Sequence, residues 1–224
     1  MSTDIEITDL GQFSKKFHKT YELFKNNLEN NEEVGASFAV YQGGACLIDL
    51  YGGYRDRDKK NKWDQDTIVN VHSTSKGIVA MIVAKLIDEG NLELNKNVSD
   101  YWPEFSELGK ENIKVKTLLS HQAGLYGWRQ SIDETDFYNW DYVVNLLAKQ
   151  EPYHKPEEKI CYHPKTIGFL VGELIKRVTN KSVGKNLEDL LNHPLKTKCF
   201  IGTPLTYHDN IAELISSESL RQAF

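Results

Sequence analysis

The chain has 224 residues, 40% hydrophobic and 26% charged, with a formal net charge of -5. That length can bury the core of one domain or a small pair, and the composition is that of an ordinary soluble globular protein. The acidic balance, with lysines scattered among acids, leaves no footprint for nucleic acid, and no apolar run approaches membrane-spanning length.

The start, Met1-Ser2-Thr3-Asp4-Ile5-Glu6, is polar and acidic and matches neither a secretory nor a transit pattern, so the expected location is the cytoplasm. Cys46, Cys161 and Cys199 form an odd, sparse set without Cys-x-x-Cys spacing, as reduced thiols do. The seven histidines are dispersed, with no His-x-x-x-His pair. No metal and no cofactor are expected.

Phe13, Phe17, Tyr21, Phe24 and Leu28 recur at helical spacing with lysines between them, which predicts an amphipathic first helix whose aromatic stripe faces a core. Residues 36–41, the turn Gln42-Gly43-Gly44 and residues 45–51 read as a β-hairpin. Gly52-Gly53 closes its second strand, where another backbone can approach closely. Residues 56–66 are a charged surface loop.

Next comes Val71-His72-Ser73-Thr74-Ser75-Lys76, followed by an apolar run that predicts a helix from Ser73 to a glycine C-terminal cap at Gly90. In such a helix Lys76 shares a face with Ser73, so the amine reaches the hydroxyl. A serine hydroxyl is a poor nucleophile until a neighbour takes its proton, and a lysine does so only when burial or a positive field lowers its pKa. A helix start is suited to both demands: its first N–H groups are expected to be unpaired and to favour negative charge, while the apolar turns behind desolvate the amine. The spacing alone is weak, because Ser-x-x-Lys recurs at Ser182-Val183-Gly184-Lys185, where a helix cap is the expected role. For Ser73, cap and nucleophile both stay open on context alone.

Farther on, residues 113–119 predict a helix entering the Gly-containing loop Ser120-His121-Gln122-Ala123-Gly124-Leu125. His121 is expected to fasten that loop, not to serve in a triad, because no acid sits at an informative spacing. Residues 136–150 have helical spacing, and 166–178 read as a buried helix. A short helix near 187–191, a loop at 201–204 and a last stretch at 210–224 complete the chain. Tyr126, Trp128 and Trp140 either line a pocket or pack.

Several segments together resemble the serine beta-lactamase and penicillin-binding-protein superfamily, in its class C-like, esterase-like branch. They are Asp66-Thr67-Ile68-Val69-Asn70-Val71-His72-Ser73-Thr74-Ser75-Lys76-Gly77, Tyr101-Trp102-Pro103-Glu104-Phe105, Leu118-Leu119-Ser120-His121-Gln122-Ala123-Gly124-Leu125, and Tyr162-His163-Pro164 before Gly168-Phe169-Leu170-Val171-Gly172-Glu173. The resemblance implies an α+β, beta-lactamase-like fold spanning 1–224 as one domain, a helix-rich region packed on an antiparallel sheet. It implies an acyl-enzyme at Ser73, with Lys76 as the base partner and Tyr162 as the phenol that shuttles the proton. The substrate would be a small-molecule or peptide ester or amide.

The sequence departs from the family pattern twice. Where relatives have Tyr-x-Asn it has Tyr162-His163-Pro164, and a proline ring cannot supply the amide's hydrogen bonds. No Lys-Thr-Gly or His-x-Gly motif follows Tyr162, so the C-terminal strands and the second oxyanion donor of the family are expected to be missing, with impaired turnover and an exposed hairpin edge. The alternatives are a non-catalytic relative that binds a ligand or self-associates, and an incomplete isoform or gene product.

Overall fold

The structure, a computed structural model, describes residues 5–11 and 15–215. They form two compact units, one from the described residues up to 70 with 203–215 and the other from residues 71–202.

In the first unit the hairpin is present as β2 (Gly35–Gln42) and β3 (Ala45–Gly53), turned by Gly43 and Gly44 with φ of 57° and 82°. Positive φ at both central residues matches the turn to the twist of the flanking strands. A short strand the sequence reading did not anticipate, β1 (Ile7–Asp9), pairs antiparallel with the other side of β3, giving the order β1-β3-β2. The glycine pair that closes β3 lies where backbones crowd: a Cβ on Gly53 would stand 2.4 Å from the Val34 carbonyl oxygen, and one on Gly52 2.8 Å from that of Glu6. The first helix, α1 (His18–Glu29), follows a 3-10 turn at Lys15–Phe17 and buries Leu28, and Ile48 and Leu50 are the buried apolar side chains of β3. Phe13 of the predicted stripe lies outside the described residues. Phe38 and Tyr41 on β2 are exposed. Residue 211 forms a parallel bridge with Ile68, and positions beyond 215 lie outside the described residues.

The second unit is built around α5 (Thr166–Thr179), which buries eight of its residues and ends in a left-handed cap at Asn180. Around it lie α2 (Thr74–Asp88), α3 (Val115–Leu119), α4 (Trp140–Lys149) and α6 (Val183–Leu187). Ile82 and Leu86 of α2, Leu118 of α3, Leu147 of α4 and Leu170 of α5 belong to one apolar core, sealed by Trp102 and Phe105 with ring centroids 5.1 Å apart. The element expected over residues 136–150 is two pieces, a 3-10 turn at Glu134–Tyr138 and then α4. Asn139 sits between them, and its side chain accepts the Tyr142 N–H, which starts a new helix there. The helix expected near Leu187 begins four residues earlier, at Val183, and runs on through one wider turn at Glu188–Asn192.

Lys110 is a buried cation in this unit. Its Nζ donates to the carbonyl oxygens of Glu107 at 2.6 Å and Gln150 at 2.5 Å, and burial pushes its pKa down to about 8.

Candidate active site

All three residues proposed from the sequence meet in the 71–202 unit. Ser73 precedes α2 directly, and Lys76 lies in the first turn, where its Nζ donates to Ser73 Oγ at 3.1 Å. Tyr162, 89 positions farther along, donates its phenol hydrogen to the same Oγ at 2.9 Å. Lys76 Nζ stands 5.2 Å from the centre of the Tyr162 ring. One hydroxyl is thus held between an amine and a phenol.

The helix start differs from the expectation of unpaired N–H groups. Thr74 N–H donates to Val71 O, Ser75 N–H to His72 O and Lys76 N–H to Ser73 O, at 3.0, 3.1 and 3.0 Å. These tight i to i-3 bonds satisfy the opening donors with backbone carbonyls. His72, with φ of 45°, sets up the turn. The Ser73 hydroxyl therefore has no capping duty and makes no cap bond.

Ser182 provides an internal comparison. It also precedes a helix and has a lysine three residues on, yet its Oγ accepts the Lys185 N–H at 3.2 Å, and Lys185 Nζ pairs with Glu188 and Asp189. The backbone explains the difference: Ser182 has ψ of 160°, the extended value of a capping residue, whereas Ser73 has ψ of -10°. Only the second conformation leaves the hydroxyl available to side chains.

The Tyr162 phenol is pushed below its ordinary pKa, first by its hydrogen bond with Ser73 and then by Lys76. Both effects favour the phenolate, a form that could accept a proton from Ser73. Tyr162 is 50% exposed.

The backbone around Tyr162 is tightly held. Cys161 N–H donates to His121 O at 3.0 Å, and His163 N–H donates to His121 Nδ1 at 3.1 Å. His163 is fully buried, its Nε2 accepting the Leu125 N–H at 3.1 Å and its Nδ1 lying 2.6 Å from Cys161 O. An acceptor at one nitrogen and a donor at the other require the neutral ring, and burial drives its pKa down to about 4. His121 fastens its loop as expected, and burial followed by the Lys76 charge lowers its pKa too. The part played by His163 was not read from the sequence, where it appeared only as the middle of a departing motif. The signal lay in a polar residue flanked by Tyr162 and Pro164, ahead of the apolar run that opens α5.

Two aromatic residues left open between pocket and packing are packed. Trp128 Nε1 donates to Val143 O, with its ring edge-on to Phe137 and Phe169, and Trp140 Nε1 donates to Glu173. Tyr126 stacks on Tyr153 at 4.7 Å. Among the described residues no cluster of His, Cys, Asp or Glu could hold a metal ion, and no helix is long and apolar enough to cross a membrane.

The family model for beta-lactamase matches residues 22–205. The chain is 32% identical over 187 residues to the esterase/beta-lactamase LipL of Mycobacterium tuberculosis, covering 84% of this chain and 43% of that protein. Among solved structures, a penicillin-binding protein homolog from Caulobacter crescentus superposes with a TM-score of 0.90 at 35% identity, covering 95% of this chain and 57% of the other. A family VIII carboxylesterase superposes with a TM-score of 0.87 at 37% identity, over 94% and 57% of the two chains. The chain spans about half the length of the relatives it matches.

Proposed function

The chain belongs to the beta-lactamase family and has its fold, and from that premise we propose that it carries the nucleophile and its proton-transfer partners of a serine hydrolase acting on an ester or amide through an acyl-enzyme at Ser73. The observation that carries this reading is Ser73 Oγ placed within hydrogen-bond distance of both Lys76 Nζ and Tyr162 Oη.

Ser73 Oγ attacks the carbonyl carbon while its proton passes to the Tyr162 phenolate; Lys76, expected from the resemblance as the base partner, serves in this reading as the ammonium that stabilises that phenolate. The developing oxyanion forms at the positive end of α2, beside the Ser73 N–H. The bond to the leaving group then breaks, and the departing alkoxide or amine takes the proton from Tyr162, leaving an ester on Ser73. Water, deprotonated by the same phenolate, attacks that ester, releases the acid and restores the hydroxyl.

The test is covalent labelling with a fluorophosphonate, read by intact mass. One adduct is expected on the folded protein and none on Ser73→Ala. A cooperatively folded wild-type sample that takes up no adduct would instead make this a non-catalytic binding relative.

A further inference from the structure

We propose that His121 is the positioning residue for Tyr162: its neutral imidazole and its own carbonyl grip the backbone on both sides of that tyrosine and so set the phenol against Ser73. The inference rests on the role just given to Tyr162.

The Tyr162 ring is half exposed, yet its oxygen stands 2.9 Å from Ser73 Oγ. A half-exposed phenol takes its direction mainly from the backbone that carries it. That backbone is held at the residue before, through Cys161 N–H to His121 O, and at the residue after, through His163 N–H to His121 Nδ1. His121 thus accepts two hydrogen bonds that straddle Tyr162, while its ring lies 5.0 Å from the phenol ring, centre to centre.

An Nδ1 that accepts a backbone N–H carries no hydrogen, so the imidazole is neutral with its proton on Nε2. Burial and two neighbours favour that state: Lys76 is a cation, and His163 presents its backbone N–H to Nδ1. The backbone of His121 is left-handed, with φ of 62°. That conformation turns its carbonyl and its ring toward the same three-residue segment, which an extended residue at this point would not do.

Two substitutions separate positioning from general support of the fold. Asn tolerates a left-handed backbone and offers Oδ1 where Nδ1 now sits, whereas Leu removes the acceptor but can adopt such a backbone, as Leu108 does at φ of 55°. Tyrosine carrying 13C at Cζ reports the titration of each phenol, with the Tyr162 signal assigned by its loss in Tyr162→Phe. In wild type and in His121→Asn, Tyr162 is expected to titrate below the ordinary phenol range. In His121→Leu it should return toward that range, and Ser73 labelling should slow by about 10- to 100-fold with the melt still cooperative. An unchanged Tyr162 titration in His121→Leu overturns the proposal, as does His121→Asn displaced while folded; the Asn result decides alone if the Leu variant does not fold. If Tyr162 responds as expected but wild-type Ser73 is never labelled, the hydrolase reading fails and the positioning role stands.

Discussion

Ser73 and Ser182 share a local pattern but differ in what their hydroxyls touch, and the cause is one backbone angle. That angle was not legible from composition or spacing, nor was the left-handed residue before it at position 72. The approach of Lys76 was legible, since a separation of three residues places it on the same helical face. Tyr162 could not be located by spacing across 89 positions, and only the resemblance of several segments pointed to it. His163 was missed because a fully buried, neutral imidazole looks in sequence like any other histidine. Its chemistry yields a pH prediction. With the folded pKa near 4 and an unfolded value near the ordinary 6.5, the unfolded chain takes up a proton that the folded chain refuses. Stability present above about pH 6.5 is therefore lost as the pH falls toward 4, and the loss levels off below that. By pH 4.5 this residue should account for about 2 kcal/mol. Urea denaturation at pH 7.5 and 4.5 checks it: His163→Gln should be weaker at pH 7.5 but lose less on acidification, and equal losses in the two proteins would refute the assignment.

Among the elements, the hairpin and the helices α2 and α5 were readable from periodicity and turn residues, because each has a full apolar face or a glycine turn. The strand β1 was not, since three residues carry no periodicity and are ordered only by pairing with β3. The break between the turn at Glu134–Tyr138 and α4 was also hidden, because the apolar spacing runs through it and only the Asn139 side chain interrupts the helix. Close packing between α4 and α5 makes a further expectation measurable. A Cβ on Gly172 would stand 2.6 Å from the Trp140 ring and 3.1 Å from Val183, and that ring is pinned by its bond to Glu173. Gly172→Ala is expected to destabilise by about 1 to 3 kcal/mol despite the higher helix propensity of alanine. Gly168, in the same helix, has open space around its Cβ position, so Gly168→Ala should stabilise by about 0.5 to 1 kcal/mol. Chemical denaturation of the pair would contradict this packing account if both changes had the same sign.

For the whole molecule, composition bounded the class, while the fold was legible mainly through several long segments in one order. All the residues proposed for chemistry lie within 71–202, in the unit whose core is centred on α5. Within that unit protection from solvent is uneven. The opening turn that carries Ser73 is exposed and held by short i to i-3 bonds, whose geometry is poorer than that of α-helical bonds, whereas α5 is buried along most of its length. Heating should therefore fray the nucleophile's turn while the rest of the helical scaffold is still intact. Fluorophosphonate uptake is expected to fade several degrees below the midpoint of the far-ultraviolet melt and to recover on cooling, whereas coincident curves would mean that this turn opens only with the whole fold. The protein's usable temperature range would then be governed by the resilience of one turn, and reinforcing the interior would leave thermal inactivation where it was.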